Sequence, residues 1–245
     1  QAPLSRYFEF PPRTLYVEHA PFSWVAFIAY GLFILAVAGS FLLHALRNRP
    51  QAPLKTPPAP PFPWWGWCGV VLGVVSWILA WSRFPWFSNY QAHTFTPLWL
   101  SYILTVNGFA FRRTGTCLLL RRPLAFLLLF PVSAGFWWFF EYLNRFVQNW
   151  SYTGVDFGPG EYFLFATLSF STVLPAITGT REWLLTYSWW GSAYQHFFPV
   201  RISSPRLFAA AVLTASGTGL FLLGVHPDHL FALLWVSPLL ILVSL

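Results

Sequence analysis

Residues 123–146 read PLAFLLLFPVSAGFWWFFEYLNRF, an apolar run that carries no charge before Glu141. A helix needs about 20 such residues to cross the hydrocarbon core of a bilayer, so this run predicts a membrane-spanning helix. Its end is unusual because Glu141, Asn144 and Arg145 lie at positions i, i+3 and i+4 and therefore share one helix face. An ionisable side chain costs roughly 2.5–3.5 kcal/mol at the bilayer centre, which makes this face a candidate functional site.

Six further apolar runs of similar length accompany this one. The seven runs are Phe22–Ala45, Trp64–Ser82, Phe95–Phe111, Pro123–Phe146, Glu161–Thr178, Leu207–Val225 and His229–Leu245. Runs with so few charges lack the wet face that a soluble helix bundle requires. The predicted fold class is an all-α integral membrane protein, a polytopic bundle of about seven transmembrane helices in a single domain over residues 1–245.

Composition supports a membrane protein. Hydrophobic residues make up 56% of the chain and charged residues only 9%, against about 25% charged in an ordinary soluble domain. The aromatic content of 21%, with 15 Trp, suits the aromatic belts found at membrane interfaces. The net charge of +7 is spread over short loops, so we expect it to set topology, and we expect no nucleic-acid partner.

The basic residues predict an orientation. Ten of the 14 Lys and Arg residues fall in alternate loops, namely Arg47, Arg49, Lys55, Arg112, Arg113, Arg121, Arg122, Arg181, Arg201 and Arg206. By the positive-inside rule these loops are cytoplasmic and the N-terminus is outside. We expect the membrane to be a bacterial inner membrane. Six of the seven acidic residues then lie at or near the outer surface, so chemistry that uses carboxylates is expected there.

Three segments lie outside the apolar runs. Residues 1–21 form a predicted outer N-terminal segment, and residues 50–63, with seven prolines, form a predicted extended inner linker. Residues 183–199 are aromatic and amphipathic, which predicts a helix lying along the inner interface. Small residues at Gly69 and Gly73, and along Ala209–Gly219, predict close helix packing within the chain or against another subunit.

The best candidate site extends from Trp137 to Glu161. The predicted catalytic acids are Glu141, Asp156 and Glu161. The loop after the fourth run contains a proline and several glycines, so we expect it to turn back and bring the last two carboxylates close to Glu141. The predicted ligand-binding residues are Trp137, Trp138, Asn144, Arg145 and Trp150. The structural alternative is simpler. In it, Glu141 pairs with Arg145 on its own helix, Glu161 caps the next helix, and Asp156 is a solvated turn residue.

Cofactor chemistry is not expected. The histidines do not face one another in mid-membrane, as a bis-histidine haem would need, and His226-Pro227-Asp228-His229 lacks a firm third ligand. Cys68 and Cys117 lie on the predicted cytoplasmic side, which disfavours a disulfide. We therefore expect no metal and no cofactor. Asn107, within the third run, is interpreted as an interhelical hydrogen-bond donor.

One short segment resembles a known family. Asn149-Trp-Ser-Tyr, followed by Pro159-Gly-Glu-Tyr-Phe-Leu-Phe165, resembles the acidic segment of integral-membrane lycopene cyclases, in which a Pro-x-Glu-Glu pattern opens a span. Tyr162 stands where those proteins have the second acid, and the similarity covers fewer than twenty residues. The resemblance implies an alternative function that handles isoprenoids.

The leading hypothesis is a non-enzymatic membrane subunit that anchors or scaffolds a larger membrane protein assembly. It is based on the missing catalytic motifs, the aromatic surface and the small-residue faces. The alternative is a membrane-embedded, cyclase-like enzyme that modifies a lipid or isoprenoid with carboxylates near the outer face. The expected partners are the lipid bilayer, other membrane protein subunits and a bound lipid or isoprenoid. Transport is the least expected function, since the other runs lack ionisable residues at mid-membrane.

Overall fold

The computed structural model describes residues 4–48, 59–153, 156–195 and 201–245. Over these residues the chain is helical and contains no strand. The α-helices are α1 (Trp24–Arg47), α2 (Trp64–Trp81), α3 (Phe95–Thr114), α4 (Leu118–Arg121), α5 (Pro123–Val147), α6 (Pro159–Ser171), α7 (Val173–Leu185), α8 (Ser188–Ala193), α9 (Pro205–Leu222) and α10 (Pro227–Ser244). Short 3₁₀ helices cover Leu4–Phe8 and Pro85–His93.

Six helical segments among the described residues are long and apolar enough to cross a membrane. They are α1, α2, α5, α6 taken together with α7 (Pro159–Leu185), α9 and α10. The chain is therefore a multi-pass, all-α integral membrane protein, as the apolar runs predicted. The predicted third run corresponds to α3, which has the required length but is not among the six.

The predicted interfacial helix is divided in the structure. Its first residues, 183–185, complete α7, and the six-residue helix α8 follows at Ser188–Ala193. Residues 196–199 lie outside the described part of the chain, as do residues 50–58 of the predicted proline-rich linker. Whether the segment lies along an interface stays a prediction.

The chain forms two compact units. Unit 1 comprises residues 1–22, 136–163 and 199–245, and unit 2 comprises residues 23–135 and 164–198. In unit 1, α9 packs along α10, and Phe140, Val147, Leu223 and Leu234 form the buried core. In unit 2, α3 packs against both α2 and α7.

The central position of α3 explains its polar composition. Ser101, Asn107 and Gly108 are buried against its neighbours, so these residues do not face lipid. Asn107 does not make the predicted interhelical bond through its amide donor; its Nδ2 donates to the Ile103 carbonyl of the same helix at 2.9 Å. A Cβ at Gly179 of α7 would lie 2.9 Å from that Nδ2, so the glycine makes room for the amide.

The Gly69–Gly73 pattern brings α2 close to α3 within the chain. A Cβ at Gly69 would lie 2.9 Å from the Thr105 amide nitrogen and 2.8 Å from the Cβ of Leu104. A Cβ at Gly73 would lie 3.0 Å from Ser101 Oγ. The Thr105 backbone cannot move aside without shifting the helix, so Gly69 sets the distance between α2 and α3, and Gly73 leaves room for the Ser101 side chain.

We expect Gly69→Ala to lower the free energy of unfolding by about 2 kcal/mol, as overpacking of a close helix contact does. Gly31→Ala in α1 is the matched control, because a Cβ there meets nothing within 4 Å. Thermal unfolding in the same detergent compares the two variants. Equal stability of both would show that α2 and α3 can separate without cost, against this explanation of the glycines.

The sequence predicted one continuous helix here, but the structure has a break between α6 and α7. Pro175 has no N–H to donate to the carbonyl of residue 171 and crowds that turn. At the break, Ser133 Oγ of α5 takes the place of a helical hydrogen bond. It donates to the Phe170 carbonyl at 2.5 Å and accepts from the Leu174 amide at 3.0 Å. The two main-chain groups that the break leaves unpaired are thus satisfied by one buried hydroxyl.

Candidate functional site

The polar face predicted on α5 is buried in unit 1. Glu141 is 3% exposed, Asn144 7% and Arg145 9%. Helix α5 ends at Val147, and Gln148 then adopts a left-handed conformation with a φ of 46°. This turn sends the following loop back along the helix end, where it covers the three side chains.

The carboxylate of Glu141 accepts hydrogen bonds from three aromatic side chains. Trp150 Nε1 donates to Oε2 at 3.1 Å, and the Tyr152 hydroxyl donates to the same oxygen at 3.0 Å. The Tyr162 hydroxyl of α6 donates to Oε1 at 2.8 Å. The two oxygens of a carboxyl group offer enough lone pairs to accept from all three donors. Glu141 therefore ties the loop and the start of α6 to the end of α5.

Tyr152 shows how closely the loop is held. About half of its surface is exposed, but its hydroxyl points inward to Glu141. Burial of the hydroxyl, together with the nearby Glu141 carboxylate, raises the pKa of the Tyr152 phenol above its usual value. The phenol therefore stays protonated and remains a donor at physiological pH.

Asn144 fixes the turn that follows α5. Its Nδ2 donates to the Trp150 carbonyl at 2.8 Å, and its Oδ1 accepts from the Trp150 amide at 3.4 Å. The side chain therefore pairs with both main-chain groups of Trp150 and places the indole over Glu141. An asparagine amide suits this position because it offers a donor and an acceptor side by side.

Arg145 binds the N-terminal segment of unit 1. Its Nη1 donates to the Tyr7 carbonyl at 2.7 Å and to the Glu9 carbonyl at 2.6 Å. In return, the Tyr16 hydroxyl donates to the Arg145 carbonyl. Among the ion pairs of the described residues there is none between Arg145 and Glu141. The pairing of Glu141 with Arg145 in the structural alternative is therefore wrong, because each side chain has its partners on other segments.

Gln148 completes the attachment, a role that the sequence did not predict for it although it lies within the candidate region. Its Oε1 accepts from the Tyr16 amide at 2.7 Å and the Val17 amide at 2.9 Å. Its Nε2 donates to the Thr14 carbonyl at 2.8 Å. These partners lie more than 130 positions away in sequence, so no local pattern pointed to them. We call the side chains of Arg145 and Gln148 together the N-terminal clamp.

The held segment has its own internal structure. The Glu9 carboxylate accepts from the Thr14 amide at 3.0 Å and from the Thr14 hydroxyl at 3.1 Å. Burial opposes ionisation of Glu9, but the hydrogen bonds from Thr14 and the Arg13 backbone, together with the positive charge of Arg13, outweigh it, so the pKa of Glu9 lies below its ordinary value. Folding of this turn therefore favours the ionised carboxylate, and its contribution to stability is lost as the pH falls through the pKa of Glu9.

The other two predicted acids, Asp156 and Glu161, have different roles from Glu141. Asp156 forms an ion pair with Arg13 at 2.6 Å and is 83% exposed. Glu161 is exposed at the start of α6, where its Oε2 accepts from the Gly158 amide at 3.3 Å. Capping by Glu161 is the role that the structural alternative gave it. Glu141 is thus the one of the three acids whose carboxylate is buried.

Trp137 and Trp138, the other two of the three predicted tryptophans, pack around the same helix end. The ring of Trp137 lies 5.9 Å from that of Phe140 and 6.1 Å from that of Trp235 in α10. The ring of Trp138 stacks on Phe163 at 5.4 Å and meets Phe10 at 5.9 Å. Such aromatic contacts stabilise the helix end by roughly 0.5–1.5 kcal/mol each beyond their buried area.

The cavity lined by these groups is small. Glu141, Asn144, Arg145 and Gln148 border a space of about 20 Å³. This is enough for about one water molecule. A lipid or isoprenoid substrate could reach Glu141 only if the loop at 150–152 moved. Among the described residues, no group of three or more His, Cys, Asp or Glu side chains is arranged to hold a metal ion.

No protein family, curated protein or solved structure matches this chain.

Proposed function

We propose that this protein is an integral membrane subunit that anchors a larger membrane protein assembly, with a docking surface formed by its N-terminal segment. We call this surface the N-terminal platform and define it as residues 5–20 together with the loop 148–153. The N-terminal clamp is the observation that carries the proposal. The buried Arg145, the half-buried Gln148 and the buried carboxylate of Glu141 hold segments that have little regular secondary structure.

The surface of the platform has the composition of a docking site. Phe8 is 72% exposed and Leu15 is 67% exposed, although both belong to a segment that precedes the first span. We propose that Phe8 and Leu15 belong to one contiguous apolar patch, since such patches mark interaction surfaces. Because the clamp orders the backbone in advance, binding would lose less conformational entropy than binding of a free chain end.

The orientation is part of the proposal. The distribution of Lys and Arg supports an N-terminus on the outer side of a bacterial inner membrane. We further propose that α3 is a seventh span, since its 20 residues give a length of about 30 Å, the thickness of the hydrocarbon core. Its burial between α2 and α7 supports this, because its polar residues are shielded from lipid.

Site-specific photocrosslinking in native membranes tests the docking surface. A benzophenone amino acid at position 8 or 15 is expected to give one crosslinked species of defined mass. The same probe at Phe221 of α9, which is 84% exposed, serves as the lipid-facing control and should give none. Adding Phe8→Asp to the probe at position 15 should remove the product. Crosslinks of equal yield at all three positions, or none at 8 and 15, would refute docking through the platform.

The enzyme alternative remains a separate hypothesis with its own test. Glu141 is a buried carboxylate beside a water-sized cavity, which is the feature that favours it. If the protein modifies a lipid or isoprenoid, a Glu141→Gln and Glu161→Gln double variant should lose turnover. The hydrogen bonds of Asn144 and Arg145 are unchanged in this variant, so the helix end should stay folded. Unchanged turnover of the source membranes would eliminate these acids as catalysts.

A further inference from the structure

Unit 2 contains a large apolar groove that the proposed function does not use. The groove has a volume of about 1370 Å³ and is bordered by α2, α3 and α7. This is more than the roughly 300–1,000 Å³ of pockets that hold drug-sized ligands. Its walls include Val74, Trp77 and Ile177, and Arg181 is the charged side chain among its lining residues.

The hydroxyl groups that line the groove are already paired. Ser101 Oγ donates to the Leu98 carbonyl at 2.6 Å, and Thr105 Oγ1 donates to the Ser101 carbonyl at 2.8 Å. Thr180 Oγ1 lies 2.7 Å from the Tyr102 hydroxyl and 2.7 Å from the Ala176 carbonyl. An occupant therefore needs no hydrogen bonds along the groove, which is the property of a hydrocarbon chain.

The groove extends along about three turns of α2 and about three turns of α7. Its lining residues extend from Gly69 to Ile78 on α2 and from Ala176 to Leu185 on α7. Ten residues of helix measure about 14 Å, close to half of the hydrocarbon thickness of about 30 Å. Each of the two helices thus offers an apolar wall to an acyl chain.

Arg181 supplies a positive charge near the C-terminal end of α7. Among the described residues it takes part in no ion pair. The neighbouring acid, Glu182, is already bound to Arg121 at 2.7 Å. The end of α3 is held at the same level, since Arg113 Nε donates to the Thr186 hydroxyl at 2.7 Å and the guanidinium covers the Tyr187 ring. Arg112 and Arg122 add further exposed positive charge on unit 2.

From this combination we infer that the groove is a binding site for an anionic glycerophospholipid. One acyl chain lies along α2, α3 and α7, and the phosphate of the headgroup contacts the Arg181 guanidinium. Arginine suits this role because its long stem extends along apolar surface while the guanidinium reaches the headgroup region. Its planar fork can also bind a phosphate through two parallel hydrogen bonds. The inference is independent of docking through the N-terminal platform.

Native mass spectrometry of the intact chain with added lipid tests the site. The detergent-solubilised protein is titrated with phosphatidylglycerol and with phosphatidylcholine of identical acyl chains. We expect one phosphatidylglycerol to bind at least fivefold more tightly than phosphatidylcholine. Arg181→Gln should remove this preference, whereas Arg112→Gln, at an exposed arginine that does not line the groove, should keep it. Equal binding of both lipids to the unmodified protein, or an unchanged preference in Arg181→Gln, would overturn the inference.

A second pair of variants tests the acyl-chain part of the site. Val74→Trp fills the groove and should reduce binding of both lipids at least fivefold. Val71→Trp, at an exposed position of α2 that does not line the groove, is the control. Inorganic phosphate should not compete with the lipid, since it cannot use the apolar walls. Competition by phosphate alone, or equal effects of the two tryptophans, would show that the groove is not the acyl-chain site.

Discussion

Replacing Glu141 with alanine is expected to lower the free energy of unfolding by at least about 3 kcal/mol. The substitution leaves the Trp150 indole N–H and the hydroxyls of Tyr152 and Tyr162 without their acceptor. Each buried donor that loses its partner costs about 1–3 kcal/mol, and the three share one acceptor, so their effects are not simply additive. Unfolding in detergent, followed by heat or by denaturant, gives the measurement.

Two further variants make this result interpretable. Glu161→Ala removes an exposed carboxylate of the same segment, which accepts from the Gly158 amide, and should cost less than about 1 kcal/mol. Glu141→Gln keeps the shape and one acceptor but turns an amide donor toward existing donors, so its stability should lie between that of alanine and that of the unmodified protein. If all three variants were equally stable, Glu141 would not hold the loop.

Replacing Arg145 with methionine is expected to release the N-terminal segment while the helices remain folded. Methionine keeps much of the volume of the side chain but cannot donate to the Tyr7 and Glu9 carbonyls. Hydrogen bonds from a charged donor contribute about 1.5–3 kcal/mol each, part of which offsets the desolvation of the buried guanidinium. We expect a net local loss of about 2 kcal/mol.

Hydrogen exchange resolves this loss by segment. A local loss of about 2 kcal/mol corresponds to roughly 30-fold faster exchange of the amides at 7–17, with little change in α9 and α10. Arg13→Gln is the control, since its ion pair with Asp156 is largely exposed and should contribute less than about 0.5 kcal/mol. Faster exchange in both variants to the same extent would show that the segment is not held by Arg145.

The helix positions were predictable because a long apolar run in a bilayer must satisfy its own backbone hydrogen bonds, which a helix does. The run Trp64–Ser82 matches α2 at Trp64–Trp81, and Pro123–Phe146 matches α5 at Pro123–Val147. The break before α7 was not predicted, although Pro175 signalled it. A proline within an apolar run can be accommodated or can end a helix, and the choice depends on whether a group such as Ser133 Oγ is close enough to replace the lost bond.

The sequence predicted which residues form the candidate site better than it predicted their hydrogen-bond partners. Burial of Glu141, Asn144 and Arg145 follows from their place in an apolar run. Spacing along a helix suggests only local partners, and so it paired Glu141 with Arg145. Their actual partners come from the loop after α5 and from the N-terminal segment, whose approach depends on the tertiary fold. No role was predicted for Gln148 for the same reason, since a polar residue after a helix end is usually solvated.

The N-terminal clamp binds the backbone of the N-terminal segment and does not depend on the identity of the side chains in that segment. The side chains of Arg145 and Gln148 bind only main-chain groups of the segment, at residues 7, 9, 14, 16 and 17. Phe8 and Leu15 can therefore be exchanged for other residues without loosening the attachment. Holding the segment and recognising a partner are separable properties, so the binding preference of this surface can be redesigned while its shape is kept.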